Sequence, residues 1–382
     1  MYIQDMWTFN GSIYDLSQFA KHHPGGKYLI DETCGYDITY LIQTNHNWNK
    51  EKAISMMEKY KIYNVATLQI LWDTELDEIH KELKFNIKDM KTPWYGWLYF
   101  FTIGFYYVYL VCNWLLQPTY LTGFLMGTLG WLFCGFIQHE ASHNSLSKYP
   151  KINYYFRFIL LPWADPFQWF MRHSILHHQY TNTELDEDFQ THEGVPVRHH
   201  KDVKWNWMNQ IQVILIQLYN PFLSFFYSFG KFTLIQFLWI STHYYARQNI
   251  LLSVLPFLVF SYWFMFITQL NHIQESAITE KLLKAPPNFV QHQVKSCVDY
   301  NHGNIVLSCL SIFLNYQTYH HLFPRISHFH FLHLKPELDA VLKKRGIIVN
   351  NNDFINVVYN YFGYFNKLSN RNQITTECCD NE

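Results

Sequence analysis

The sequence has little charge, and its cysteines follow none of the usual ligand or disulfide patterns. Charged residues make up 15% of the 382 residues, against about 25% in a typical globular protein, and the net charge is −1. No basic stripe is present to neutralise phosphates, so we expect no nucleic-acid partner. The 7 cysteines are odd in number and form no C-x-x-C pair, which argues against a disulfide framework or a cysteine-ligated zinc ribbon. Residues 1–9 also lack the apolar core of a secretory signal peptide.

Aromatic and apolar residues are abundant instead. Aromatic residues reach 19% of the chain. Four uncharged runs are long enough to cross the hydrocarbon core of a membrane: residues 97–116, 121–137, 211–229 and 250–268. The mean hydropathy of −0.14 is low for a membrane protein, but long hydrophilic segments dilute this average. We therefore predict a mainly α-helical integral membrane protein with four spans.

The distribution of lysine and arginine predicts the orientation of these spans. Residues 117–120, between the first two runs, carry no Lys or Arg, whereas Lys148, Arg172 and Lys204 lie in the segment between the second and third runs. The positive-inside rule then places residues 138–210, the N-terminal region and the C-terminal third in the cytosol. The stretch 152–170 is interrupted by Pro162 and Pro166, and we expect it to lie at the membrane interface or to be re-entrant, without spanning.

Histidine is the other abundant residue type, with 21 copies. Three groups have helical spacing, so that their side chains share one helix face. These groups are His139 with His143; His173 with His177 and His178; and Gln317 with His320 and His321. Another histidine, His272, follows the fourth predicted span, and all of these groups lie near the cytosolic ends of membrane segments.

So many imidazoles on one side of a membrane predict a metal centre. Imidazole is a suitable ligand for Fe, Zn and Cu, and this number of nitrogens exceeds what one tetrahedral zinc ion can use. The pattern therefore favours two metal ions, with iron first and zinc or manganese as alternatives. A rival interpretation is a membrane zinc metalloprotease, because His139-Glu140-x-x-His143 matches the H-E-x-x-H motif. That interpretation would leave the other two histidine groups without a role.

The three groups, in this order and topology, resemble the histidine boxes of the membrane fatty acid desaturases. The stretches that carry the resemblance are residues 138–147, 173–182 and 315–324, and the likeness covers about residues 94–346. It implies an O2-dependent di-iron enzyme whose metal ligands are His139, His143, His173, His177, His178, His320 and His321. By the same resemblance His272 is a further ligand, and Gln317 binds weakly or only forms hydrogen bonds. Glu140 stands where these enzymes commonly have Asp.

The N-terminal region resembles cytochrome b5. Two short strands around Asn10-Gly11 read as a β-hairpin, and His23-Pro24-Gly25-Gly26 resembles the heme loop of that family. His46 stands where the family has its second axial ligand. The resemblance implies heme b held by His23 and His46. An iron ligated in this way has no open position, so it transfers electrons and does not bind oxygen.

Together the two resemblances imply a front-end desaturase, which inserts a double bond between an existing one and the carboxyl end of an acyl chain. The expected fold is a small α+β cytochrome b5-like heme domain (residues 1–66), a linker (67–93), a four-span helical membrane desaturase domain with cytosolic histidine boxes (94–346), and a polar tail (347–382). The implied partners are a fatty acyl lipid or acyl-CoA, cytochrome b5 reductase and membrane lipids. The implied location is the endoplasmic reticulum membrane, with both termini in the cytosol.

Alternatives remain open on the same sequence. A sphingoid-base desaturase would share both domains, a lipid hydroxylase would use the same metals, and a non-catalytic heme protein would need none of the boxes for activity. An apolar tunnel should hold the substrate chain beside the metals. Its candidate lining residues are Trp163, Trp169, Phe170 and Phe266.

Overall fold

The computed structural model describes residues 5–64, 71–189, 197–227, 233–278, 282–286 and 288–371. Over these residues the chain is mainly helical, with one three-stranded and one two-stranded sheet. Three predictions reach beyond the described residues: the domain boundary at residue 66, the end of the third span at residue 229, and the last part of the polar tail, 372–382.

The N-terminal unit is built on the predicted hairpin. Strands β1 (Trp7–Phe9) and β2 (Ser12–Tyr14) pair antiparallel, and β3 (Lys61–Asn64) pairs antiparallel with β2. Asn10 and Gly11 have φ values of 45° and 71°, the left-handed conformation that a two-residue hairpin turn requires. Four helices complete the unit: α1 (Ser17–Ala20), α2 (Lys27–Asp31), α3 (Thr39–Asn45) and α4 (Lys50–Glu58). They enclose a separate apolar core that includes Trp7, Phe9 and Tyr14.

The long apolar helices follow a short polar helix, α5 (Thr74–Glu82). Helix α6 (Trp94–Leu116) is followed by α7 (Tyr120–Gly130), which continues through a π-helical turn at Trp131–Gly135 into α8 (Phe136–Ser142). Within the described residues, three helical segments are long and apolar enough to cross a membrane: Ile87–Leu116, Tyr120–Ser142 and Ile250–Leu270. The predicted third span is α12 (Gln212–Tyr227), which has 16 described residues and does not reach that length. A membrane crossing by the predicted third span therefore stays a prediction.

Small residues allow these helices to pack closely. Helix α14 (Ile250–Leu270) lies against α7, and a Cβ atom at Gly127 would collide with the carbonyl oxygen of Pro256. Such contacts between small residues and a neighbouring backbone are typical of membrane helices. On the outer side of α6, Phe101 and Phe105 are 73% and 71% exposed. Apolar rings on this surface are suited to contact with lipid.

Short elements fill the remainder of the chain. They are α9 (Pro150–Phe156), α10 (Pro166–Trp169), α11 (His178–Tyr180), α13 (Thr233–Arg247), α15 (Phe289–Lys295), β4 (Asp299–Tyr300), α16 (Ile305–Leu310), α17 (Gln317–Leu322), α18 (Phe331–Lys343), β5 (Asn351–Asn352) and α19 (Phe354–Ser369). Strands β4 and β5 pair in parallel. As predicted, the stretch 152–170 contains no helix of membrane-spanning length, since it is divided into short helices around its prolines.

The N-terminal unit rests against the helical part through buried polar contacts. The guanidinium of Arg157, only 2% exposed as a residue, donates two hydrogen bonds of 2.9 and 3.1 Å to the carboxylate of Glu32. Arg325 Nη1 donates to the carbonyl of Asn45 at 2.8 Å. Buried charge pairs of this kind require a partner in a defined position, so they determine which face of the N-terminal unit meets the rest of the chain.

Candidate functional site

The three histidine groups lie on separate helices that converge beyond the ends of the apolar segments. The first group begins in α8, the direct continuation of α7, and the third lies in α17. The second group differs from the prediction: it begins in a π-helix, Phe170–His177, and not in a regular α-helix. His272 comes two residues after the end of α14. π-Helical turns are uncommon and recur at functional sites.

Four histidines form one pocket, which we call the four-histidine pocket: His139, His143, His173 and His320. One ring nitrogen from each lies within 4.8 Å of those of the others, and all four side chains are buried. The Nε2 atoms of His139 and His173 are 3.0 Å apart. Nitrogens that converge in this way can share one metal ion.

Three further histidines form a second pocket, the three-histidine pocket: His177, His272 and His321, again with nitrogens within 4.8 Å of one another. The Nε2 atoms of His177 and His272 are 3.3 Å apart. The amide nitrogen of Gln317 donates to Nε2 of His272 at 2.9 Å and to Nε2 of His321 at 3.0 Å. Gln317 therefore contacts two of the three histidines of this pocket, and its role as a metal ligand stays a prediction.

His178 lies between the two pockets. Its ring centroid is 4.4 Å from that of His143 in the first pocket and 4.3 Å from that of His321 in the second. Its Nε2 lies 3.3 Å from Nε2 of His173. The structure thus brings together all nine residues predicted as metal ligands, in two adjacent groups.

Several of these rings have one nitrogen held by an acceptor, which leaves the other nitrogen for a metal. Asp186 accepts from Nδ1 of His177 at 2.9 and 3.0 Å, and Asp188 accepts from Nδ1 of His173 at 3.1 Å. Carboxylate–histidine pairs of this kind determine the tautomer and orientation of metal ligands. Sequence reasoning noted neither aspartate as a partner, although both follow the second histidine group closely in the chain.

Burial keeps most of the rings outside the membrane segments neutral. Burial, together with the neighbouring imidazoles, holds the pKa values of His143, His173 and His320 well below the ordinary value. For His177, burial acts in the same direction, but the adjacent Asp186 carboxylate outweighs it and the pKa is raised. Burial also raises the pKa of Asp188 to about 7. Neutral imidazoles are the form that binds metal ions.

Glu140, which lies between His139 and His143 in the sequence, is not available as the general base of a protease. Glu140 is fully buried, and its Oε1 accepts from the backbone N–H of His328 at 2.9 Å and from the His328 side chain. Its Oε2 accepts from the hydroxyl of Thr92 at 3.1 Å. Both oxygens are thus engaged, and His139 and His143 converge with two further histidines. The arrangement contradicts the H-E-x-x-H interpretation, in which the glutamate must be free to activate water.

The N-terminal unit contains a pair of neighbouring histidines outside the two pockets. The rings of His23 and His46 are 6.1 Å apart between centroids. An ion bound at about 2.0 Å from a nitrogen of each ring would give nearly this separation. Nδ1 of His23 donates to the carbonyl of Gly26 at 3.1 Å, which leaves Nε2 as the nitrogen that can bind an ion. Burial lowers the pKa of both rings, that of His46 to about 4.

A cavity of about 560 Å³ lies between this pair and the two histidine pockets. It is lined by His23 and His46 on one side and by His143, His178 and His321 on the other. Arg325 also lines the cavity, and its guanidinium lies 4.4 Å over the ring of Trp48. Burial lowers the pKa of Arg325 to about 10, so the side chain remains cationic at neutral pH. His23 and His46, as two half-buried histidines on one cavity, are the residues that would hold a porphyrin there.

The predicted tunnel residues do not lie together. Trp169 stacks on His173 with ring centroids 4.3 Å apart, so it does contact the four-histidine pocket. Trp163 instead stacks on Phe260 at 4.8 Å, and Phe170 packs 4.4 Å from the Arg157 guanidinium. A small cavity of about 20 Å³ reaches the three-histidine pocket from α14 and is lined by Phe264, Met265 and Thr268. Phe170 also lines the cavity of about 560 Å³ that reaches His143 and His178. The tunnel and its candidate lining residues therefore stay a prediction.

Comparison with known families gives two matches along the chain. The fatty acid desaturase family model matches residues 113–351, which include all three histidine groups. The model of the cytochrome b5-like heme/steroid binding domain matches residues 3–66, which include His23 and His46. No solved structure matches the chain.

The similar proteins of known name are spread over distant organisms. A Delta(5) fatty acid desaturase A of Dictyostelium discoideum is 22% identical, over 96% of this chain and 91% of its own length. An acyl-lipid (8-3)-desaturase of Mortierella alpina is 24% identical, over 88% and 86%. An acyl-lipid omega-13 desaturase of Chlamydomonas reinhardtii is 22% identical, over 89% and 88%. The similarity therefore extends over both the N-terminal unit and the helical part.

Proposed function

Because the chain belongs to the fatty acid desaturase family and carries a cytochrome b5-like domain, we propose that it introduces a double bond into a fatty acyl chain in an O2-dependent reaction. The new bond would be of the front-end type, on the carboxyl side of an existing one. The observation that carries this proposal is the convergence of nine buried nitrogen and amide ligands in two adjacent pockets. Relatives named as Delta(5) and (8-3)-desaturases support the front-end type.

The donor set of the two pockets fits two iron ions. Neutral imidazoles are good ligands for iron, and the aspartates behind His173 and His177 orient the rings for binding. His139, His143, His173 and His320 would hold one ion, His177, His272 and His321 the other, with His178 between them and Gln317 as a weak ligand. Iron at these positions supplies O2 activation, in which two hydrogens leave adjacent methylenes and, with two further electrons and two protons, O2 becomes two waters.

The N-terminal unit would supply the electrons. A heme held by His23 and His46 supplies them one at a time, because six-coordinate iron transfers electrons without binding oxygen. The shared cavity supports this role, since its walls include both the axial pair and three of the metal ligands. Cytochrome b5 reductase is the proposed donor to the heme.

The surrounding residues position the substrate. The cavity lined by Phe264, Met265 and Thr268 is apolar on the α14 side and reaches His177 and His272, so it would admit a methylene group and exclude water. An acyl lipid or an acyl-CoA would enter from the membrane, and the exposed rings of α6 are suited to lie in lipid. We propose four spans with cytosolic histidine groups, an orientation that the loop charges favour. The proposed location, the endoplasmic reticulum membrane, rests on the family resemblance alone.

Expression of the full chain in yeast fed defined polyunsaturated acids tests the proposal. Mass spectrometry of cellular lipids should locate a new double bond on the carboxyl side of an existing one. His177→Ala and His320→Ala should abolish this product. The matched control is His330→Ala, since His330 is half-buried and its Nε2 donates to the Lys91 carbonyl at 2.8 Å, outside the pockets.

The same lipid extracts separate the alternatives. A product that gains oxygen instead of losing two hydrogens would identify a hydroxylase, and unsaturation confined to sphingoid bases would identify a sphingoid-base desaturase. Lipids unchanged by the wild-type chain and by His177→Ala alike would refute catalysis and leave a heme protein without desaturase activity.

A further inference from the structure

His328 lies beside the four-histidine pocket although it belongs to none of the three histidine groups. Its ring centroid is 4.4 Å from that of His320 and 4.9 Å from that of His139. The side chain is fully buried. In the sequence it stands seven residues after His321, beyond the end of α17 at Leu322, so it is not on the helix that carries the third group.

Glu140 determines which nitrogen of His328 is free. Because the Glu140 carboxylate can only accept, Nδ1 of His328 must carry the proton that it donates to Oε1 at 2.5 Å. The backbone N–H of His328 donates to the same oxygen at 2.9 Å, and Thr92 holds the other oxygen. The glutamate is therefore fixed on both sides, and it fixes the imidazole in turn.

The remaining nitrogen has the features of a metal ligand. Nε2 of His328 is buried and without a hydrogen-bond partner among the described residues. The two nitrogens of an imidazole point in different directions, so Nε2 is directed away from Glu140. His173 with Asp188 and His177 with Asp186 have the same carboxylate–histidine arrangement. Buried polar atoms usually have a partner, and a metal ion beside the His139 and His320 rings would supply one for this nitrogen.

We propose that His328 is a further metal ligand at the four-histidine pocket, with Glu140 as the residue that positions it. The inference rests on the proposed di-metal function and deepens it. Glu140 then has a role that the H-E-x-x-H pattern does not suggest: its carboxylate joins the first histidine group to a ligand located 188 residues further along the chain.

Cobalt and a cysteine substitution test whether the side chain of residue 328 reaches the ion. Cysteine binds Co²⁺ as a thiolate, and this bond gives an intense charge-transfer absorption in the near ultraviolet. The full chain in detergent, His328→Cys and the matched control His330→Cys would be loaded with Co²⁺, and cobalt per chain would be measured for each. We expect the new band in H328C and its absence from H330C and the wild-type chain.

Each other outcome has a defined meaning. A cobalt-loaded H328C without the band, or the same band in H330C, would overturn the assignment of His328. If H328C does not fold, His328→Gln decides the question: the ligand role predicts weaker cobalt binding and an altered visible spectrum, and wild-type values for both would overturn it. A wild-type chain that binds no cobalt or iron would instead refute the metal centre itself.

Discussion

Replacement of Asp186 by asparagine should weaken metal binding by the three-histidine pocket without unfolding the protein. Asp186 is 1% exposed, and its two oxygens accept from three N–H groups. The single Nδ1–H of His177 is shared between both oxygens, and the backbone N–H groups of Asn182 and Asp188 donate at 2.8 and 3.1 Å. Asparagine has a single side-chain oxygen, so its amide group must face at least one of these donors.

The expected loss follows from the role of the carboxylate. Removal of a carboxylate that orients a ligating histidine typically lowers metal affinity by about 10–100-fold, which corresponds to about 1.4–2.7 kcal/mol. A hydrogen bond to a charged group contributes about 1.5–3 kcal/mol by independent estimates. The two values agree, so D186N should weaken binding of one of two ions by one to two orders of magnitude.

A chelator competition titration of the metal-free chain with Fe²⁺ or Co²⁺ would measure this loss. Glu187→Gln is the matched control, because Glu187 is adjacent, its side chain is 31% exposed, and it pairs with Arg172 only at 3.8 Å. Exposed pairs of this type contribute about 0–1 kcal/mol. Equal affinities for D186N, E187Q and the wild-type chain, with matching thermal unfolding of the metal-free proteins, would refute the reasoning.

Three further predictions concern the N-terminal unit. Arg157→Gln should leave the Glu32 carboxylate unpaired in a buried contact and weaken docking of the N-terminal unit on the helical part by about 3 kcal/mol, or roughly 100-fold. Reoxidation of the reduced heme, followed by stopped flow, should then slow. Lys27→Gln is the control, because Lys27 belongs to an exposed pair, and it should not slow reoxidation. Arg325→Gln should lower the heme midpoint potential, because a nearby cation stabilises the reduced form; an unchanged potential in a spectroelectrochemical titration would contradict the placement of Arg325. His46→Ala should abolish the bis-histidine visible spectrum, and a wild-type spectrum would exclude His46 as an axial ligand.

Local spacing predicted much of this protein. The hairpin at Asn10-Gly11, the apolar helices and the three histidine groups all depend on residues within a few positions of one another, so their geometry can be inferred from the sequence directly. The rings of His23 and His46 lie 6.1 Å apart between centroids, and their role as axial ligands stays a prediction. The resemblance to the desaturase and cytochrome b5 families is confirmed by the two family matches.

What the sequence could not specify involves residues far apart in the chain or deviations from regular helix. The π-helix at Phe170–His177 replaces the expected α-helix, because tertiary contacts override helical preference there. The third predicted span falls short of a membrane-crossing length within the described residues. The tunnel for the acyl chain stays a prediction, because aromatic composition alone does not specify which cavity an aromatic ring lines.

The sequence by itself determined that this chain has apolar helices, two kinds of histidine motif and no basic surface, since each is a property of composition or short-range spacing. Only the tertiary structure decided that the histidine groups converge into two pockets, that Glu140 holds His328, and that the His23–His46 cavity opens toward the metal ligands. The reason is physical: such contacts are set by how separate helices pack, and packing depends on the shapes of all neighbouring side chains at once.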